Sequence, residues 1–130
     1  GLSERWLERL SDMVEVSDSV VASLGRGDDC SKAWQIGSEL AESMGYGEHL
    51  MGMQPDQSKF LGHSVGLQLD ESPVVARGFN RPLVDNGVMA IEPKLVFNDG
   101  SIGVEDTWVK TKQGMKRVTL DDSYDLIIDC

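Results

Sequence analysis

The chain has 130 residues, room for one domain with a moderate core, and 40% of them are hydrophobic, an ordinary share for a globular protein. Its formal net charge is −10, from 22 acidic and 12 basic side chains, which argues against nucleic acid or an anionic membrane surface as partner, because neutralising phosphate takes clustered Lys and Arg. No apolar run approaches the roughly 18 residues of a membrane span, and the opening GLSERWLERL lacks the basic start and long apolar stretch of a signal peptide. Cys30 and Cys130 stand far apart without a CxxC partner, so neither a disulfide framework nor a cysteine zinc site is expected, and a reducing cytoplasm suits them best.

In chain order, Trp6, Leu7, Leu10, Met13, Val14, Val20, Val21 and Leu24 recur at mostly three- and four-residue spacing, which predicts an amphipathic helix. Ser3 is placed to cap it, with Leu2 as a hydrophobic staple. Gly25-Arg26-Gly27 ends it, and a second helix starts at Asp28 or Asp29 and carries Ala33, Ile36, Leu40 and Met44 before Gly45-Tyr46-Gly47 stops it. Residues 1–50 therefore read as a helical hairpin. The stretch Glu48 to Ser58 is irregular, and His49, Met51 and Met53 within it read as loop or core residues.

From residue 59 onward strands are expected: Val65 to Leu69, Val88 to Ile91, Leu95 to Phe97, one alternating strand from Gly103 to Thr111, Met115 to Thr119, and a last short run at Leu126 to Ile128. Asn98-Asp99-Gly100 is a hairpin turn, and Lys112-Gln113-Gly114 reverses the chain. Two helices followed by a mostly antiparallel sheet is an α+β arrangement.

Three segments place a metal-competent side chain at or beside a strand. His63 lies between Gly62 and Ser64-Val65-Gly66, where small neighbours let backbone or ligand approach the imidazole. Glu92 closes the strand Val88 to Ile91, with Pro93 stopping further pairing. Glu105 interrupts an alternating strand, where an inward carboxylate is costly unless paired or bound to a cation. Taken singly, the histidine reads as a turn or core residue and each glutamate as a solvated strand residue; their order and spacing suggest more.

The runs GHSVGLQLDESP, PLVDNGVMAIEP and GSIGVEDTWVKTKQG resemble, in that order, the signature blocks of the pita-bread metallopeptidases, nearest to the Xaa-Pro aminopeptidase and prolidase branch. The helical hairpin upstream and the closing VTLDDSYDLIIDC are similar to that family too. The resemblance implies half of a pita-bread fold across residues 1–130, the C-terminal portion of the catalytic domain. It implies an exopeptidase that hydrolyses N-terminal peptide bonds of peptide substrates through a metal-activated water.

In such enzymes two divalent cations (Mn, Co or Zn) share two aspartates, a histidine and two glutamates. By position His63 and Glu92 would bind one cation, Glu105 would bridge both, and Glu92 would also shuttle the proton. The two aspartates belong to an upstream strand pair that this chain lacks, and Asp12, Asp28 and Asp29 of the helical hairpin cannot replace them. At Asp70 the branch commonly carries a histidine that steadies the substrate carbonyl. An ionised carboxylate cannot do that, so Asp70 is expected to hold a substrate amine or orient another group. Arg77 reads as a surface arginine, with anchoring of a substrate carboxylate as its alternative.

Two other readings stay open: a non-catalytic half-domain or pseudo-enzyme that binds a partner, and a creatinase-like C–N hydrolase parent. A half without its sister exposes apolar sheet edge and face, and a homodimer is the expected remedy.

Overall fold

The computed structural model describes residues 3–53, 57, 60–65 and 74–118. Helix α1 spans Glu4–Gly25 and α2 spans Cys30–Ser43. Ser3 caps α1 by accepting from the Trp6 N–H at 3.4 Å, and Gly27, at φ 94°, supplies the left-handed turn that releases the chain. Of the two candidate caps for α2, Asp29 serves, accepting from the Lys32 N–H at 2.7 Å. Asp28 instead takes hydrogen bonds from Ser23 and Arg26, which together hold its carboxyl below the usual aspartate range. The helices touch closely at Gly37, where an added Cβ would lie 2.6 Å from Val20 Cγ2 and 2.9 Å from Leu61 Cδ1. Among the described residues no helix is long and apolar enough to cross a membrane.

Seven strands follow: β1 Phe60–Ser64, β2 Val74–Ala76, β3 Val88–Ile91, β4 Lys94–Phe97, β5 Gly100–Gly103, β6 Asp106–Thr111 and β7 Gly114–Arg117. Five of them form an antiparallel sheet in the order β2-β1-β3-β6-β7, while β4 and β5 pair only with each other. The architecture is thus α+β. The larger sheet packs Leu61, Val75, Met89 and Ile91 against Val20, Leu24 and Ala33 of the helices. The β4–β5 hairpin builds a second cluster, in which Leu95, Ile102 and Val104 meet Met13, Val16 and Ala41. Segment 49–51 runs beside β4, with Met51 N–H bonded to Lys94 O and Val96 N–H to His49 O.

Three differences from the sequence reading concern the strands. The strand at the histidine is Phe60–Ser64, a run not singled out as a strand, and it gains partners on both sides, β2 and β3; of the expected Val65 to Leu69 only Val65 lies among the described residues, just past β1. The stretch Gly103 to Thr111 is two strands belonging to two sheets, broken at Val104 and Glu105. Strand β2, only three residues long, was not expected at all. Residues 66–70 and 119–128, which carry the expected Leu69, Asp70 and Leu126 to Ile128, lie outside the described residues, as does Leu2.

Candidate metal centre

The site forms at the ends of three neighbouring strands. His63 sits on β1 opposite Ala90 of β3, and Ile91 of β3 sits opposite Asp106 of β6. Pairing continues one residue beyond β3, since the Glu92 N–H donates to Leu61 O at 2.9 Å. Side chains alternate across a sheet, so His63, Ala90 and Glu92 fall on one face, while Met89 and Ile91 point to the helices.

The chain leaves the larger sheet at Glu92-Pro93, makes the β4–β5 hairpin, and returns at Val104-Glu105. These two breaks are held side by side by the Val104 N–H bond to Pro93 O at 3.1 Å. The crossing is tight, because a Cβ on Gly103 would lie 2.8 Å from Pro93 O and 2.5 Å from Lys94 Cβ. The two glutamates, distant in sequence, therefore meet at the exit and the re-entry of one excursion.

The Nε2 of His63 lies 3.7 Å from Glu92 Oε1, and its Nδ1 lies 3.1 Å from the Ser64 carbonyl oxygen. A carbonyl only accepts, so in the neutral imidazole Nδ1 carries the proton and Nε2 turns a lone pair toward Glu92. The carboxyl of Glu92 has its pKa raised above the usual 4.5 by partial burial first and by its hydrogen bond with Glu105 next; His63 pulls it down, and the charge of Glu105 pushes it up. The cluster thus sets two carboxyl groups beside one imidazole.

Gly62 explains the glycine before the histidine. A Cβ there would sit 2.7 Å from the Ala90 carbonyl oxygen and 2.9 Å from Ile91 Cδ1. Gly62→Ala is expected to cost about 1–3 kcal/mol by overpacking, measured by urea denaturation; an unchanged midpoint would show that β1 can shift away.

His63, Glu92 and Glu105 are thus linked in a chain, Glu92 in the middle. Imidazole nitrogen with two carboxylates is a donor set suited to a divalent transition-metal ion. It fits in kind but is open: among the described residues, no group of three or more His, Cys, Asp or Glu side chains is gathered closely enough to hold a metal. Asp70 lies outside the described residues.

The other candidates are structural in their contacts. Arg77 stacks its guanidinium over Trp34, 5.1 Å from the ring centroid, beside α2. His49 stacks on Phe97 with centroids 4.2 Å apart, with Nδ1 3.0 Å from Val96 O. Met51 is buried, Trp6 meets Phe97 edge-on, and Trp108 packs on the core of the larger sheet. The sequence reading missed the Ser64 carbonyl and the Val104–Pro93 contact. Backbone partners leave no mark on residue type, and only the flanking glycines hinted at close approach.

Two helices over a mostly antiparallel sheet, with a histidine and two glutamates at or beside the ends of its strands, are the architecture of the pita-bread metallopeptidases. Residues 6–112 match metallopeptidase family M24, and the chain belongs to that family. An Xaa-Pro dipeptidase of Pyrococcus horikoshii is 30% identical over 118 residues, covering 90% of this chain and 32% of that protein. The crystal structure of the prolidase from Pyrococcus horikoshii OT3 is similar at a TM-score of 0.79 and 30% identity, over 98% of this chain and 35% of that one. The X-Pro aminopeptidase from Thermotoga maritima MSB8 shares the fold, with a TM-score of 0.79 at 22% identity, over 98% of this chain and 35% of that one. The chain spans about a third of the length of these relatives.

Proposed function

We propose that this chain is the C-terminal portion of a divalent-cation-dependent exopeptidase of the Xaa-Pro dipeptidase and aminopeptidase kind, and that His63, Glu92 and Glu105 are its ligand contribution. The observation that carries this reading is Glu92 held against both the His63 imidazole and the Glu105 carboxyl, an acceptor-rich cluster a cation would relieve.

His63 would offer Nε2, already oriented through Nδ1, and the two glutamates one or both oxygens each, to Mn²⁺, Co²⁺ or Zn²⁺. A cation bound there supplies Lewis acidity, lowering the pKa of water and polarising a scissile carbonyl. Glu92, between His63 and Glu105, would take a proton from the attacking water and return it to the leaving amine. Asp70 is assigned from sequence alone, as a carboxylate that holds a substrate amine or orients another group. Assay of the chain on Xaa-Pro dipeptides with added Mn²⁺ or Co²⁺ tests the reading; turnover that survives Glu105→Ala would defeat the ligand assignment.

A second reading, a non-catalytic half-domain that binds a partner, is favoured by the open donor set. A creatinase-like C–N hydrolase on the same scaffold is the other alternative. Absence of turnover on peptides and on non-peptide C–N substrates alike supports the first of these.

Glu92 also sets a pH dependence. Its folded pKa is raised, so the folded chain holds this proton more tightly than the unfolded one, and stability falls as pH rises from about 4.5 through the folded pKa. Glu92→Gln in metal-free chain is expected to raise the melting midpoint by a few degrees at neutral pH and to flatten that decline, by calorimetry at pH 4.5 and 7. An equal shift at both pH values would trace the gain to something other than charge.

Val84 (69% exposed), Leu7 (50%), Val14 and Val118 leave apolar surface open, and β2 and β7 are free edges of the described sheet. A homodimer of this chain follows from covering them, and light scattering is expected to give twice the chain mass; a clean monomer at micromolar concentration removes the idea. The free, buried Cys30 thiol, pushed up to about 11 chiefly by burial, suits a cytoplasmic protein.

A further inference from the structure

Glu105 precedes β6 rather than lying in it, so its direction depends on how the first residues of β6 are held. On one side Asp106 pairs with Ile91 of β3. On the other, the register with β7 ends at Trp108 opposite Arg117, followed by one backbone bond from the Val118 N–H to Thr107 O at 2.9 Å. Beyond that point a side-chain contact takes over. The Asp106 carboxylate, 14% exposed, lies 3.6 Å from Arg117 Nη1, and the same guanidinium stands 5.9 Å from the Trp108 ring centroid. Alternation along β6 puts Asp106 and Trp108 on one face, shared with Ile91 and Met89 of β3, and Thr107 on the other.

We propose that Asp106 and Arg117 are positioning residues that clasp the start of β6 from behind and so aim Glu105 at Glu92; the proposal rests on reading Glu105 as a ligand. A carboxylate this well covered is costly without its cation. Deprived of Arg117, Asp106 gains by turning toward water, and any backbone rotation that accompanies this passes to Glu105 through the planar peptide they share. Exposed ion pairs contribute little to stability, and the Arg117 side chain is 43% exposed. The effect therefore lies in direction more than in stability.

Strand β6 supplies its own control. At its far end Lys110 Nζ lies 3.6 Å from Asp85 Oδ1, the same separation as the clasp but remote from Glu105. The experiment compares Asp106→Asn, Arg117→Met, Arg117→Lys and Asp85→Asn in the full chain. Amide exchange over residues 105–107 is followed without metal, and Mn²⁺ affinity by calorimetry. Asp106→Asn and Arg117→Met are expected to speed exchange at 105–107 and weaken Mn²⁺ binding about tenfold, the scale of losing a group that orients a ligand. Arg117→Lys restores part of both, and Asp85→Asn changes neither. Unaltered exchange at 105–107 in Asp106→Asn and Arg117→Met overturns the clasp, as does faster exchange with unchanged Mn²⁺ affinity. A wild-type chain that takes up no Mn²⁺ sinks the ligand reading instead, and the exchange data then decide the clasp by themselves.

Discussion

Glu105→Ala is expected to weaken Mn²⁺ or Co²⁺ binding by about 100-fold or more, beyond the 10- to 100-fold that follows loss of a group merely orienting a ligand. The same substitution is expected to make the metal-free chain more stable at neutral pH. Both effects come from one contact. In metal-free protein Glu105 raises the Glu92 pKa through their hydrogen bond and through its charge. Without it, the Glu92 pKa falls back toward its ordinary value, and the stability lost between pH 4.5 and neutrality shrinks. With a cation in place the signs reverse, since two carboxylates beside an imidazole are then attractive donors. Isothermal calorimetry on chelator-treated protein and thermal melts at pH 7, with and without Mn²⁺, read the two halves separately. Weaker binding accompanied by lower metal-free stability would mean that Glu105 is a structural residue, and the donor reading would fall.

The second large effect concerns the strand between the ligands. Ile91 is fully buried, faces Leu61 and Val75 in the larger core cluster, and its Cδ1 lies beneath Gly62. Ile91→Ala removes packed methyl groups where β1 and β3 already approach as closely as their backbones allow, so little can move in to fill the gap. A loss of about 2–5 kcal/mol is expected, a substantial part of the roughly 5–15 kcal/mol that a domain possesses. Urea unfolding followed by fluorescence measures it, and a loss under about 1 kcal/mol would show that this strand is not part of the core. Mn²⁺ added to the variant should recover part of the midpoint if the folded form alone binds it.

The parts of the structure legible in the sequence are those specified locally. Both helices follow from apolar spacing and from capping side chains at Ser3 and Asp29, and the β4–β5 hairpin follows from Asn98-Asp99-Gly100. The family was legible in three short blocks around His63, Glu92 and Glu105. What sequence did not disclose was specified at a distance. The break before β6 depends on Val104 meeting Pro93, and an alternating pattern through Gly103 to Thr111 conceals it. Strand β1, with Gly62 in its middle, has weak propensity and exists because β2 and β3 flank it. Val74–Ala76 is too short for any periodicity to register. The convergence of Glu92 on both His63 and Glu105 is set by register, which no residue in the three blocks encodes alone.

The excursion through β4 and β5 has a consequence for how this protein can vary. Because Glu92 and Glu105 stand at its two feet, locked by the Val104–Pro93 bond, the tip at Asn98 and Asp99 can lengthen without separating them. The tip is exposed, and its one described side-chain tie is the Arg5–Asp99 ion pair at 3.0 Å, between two exposed side chains. Chemistry and outer contour are thereby uncoupled: the hairpin is free to acquire new surface, for a partner or a grafted reporter, while the carboxyl pair at its base keeps its spacing.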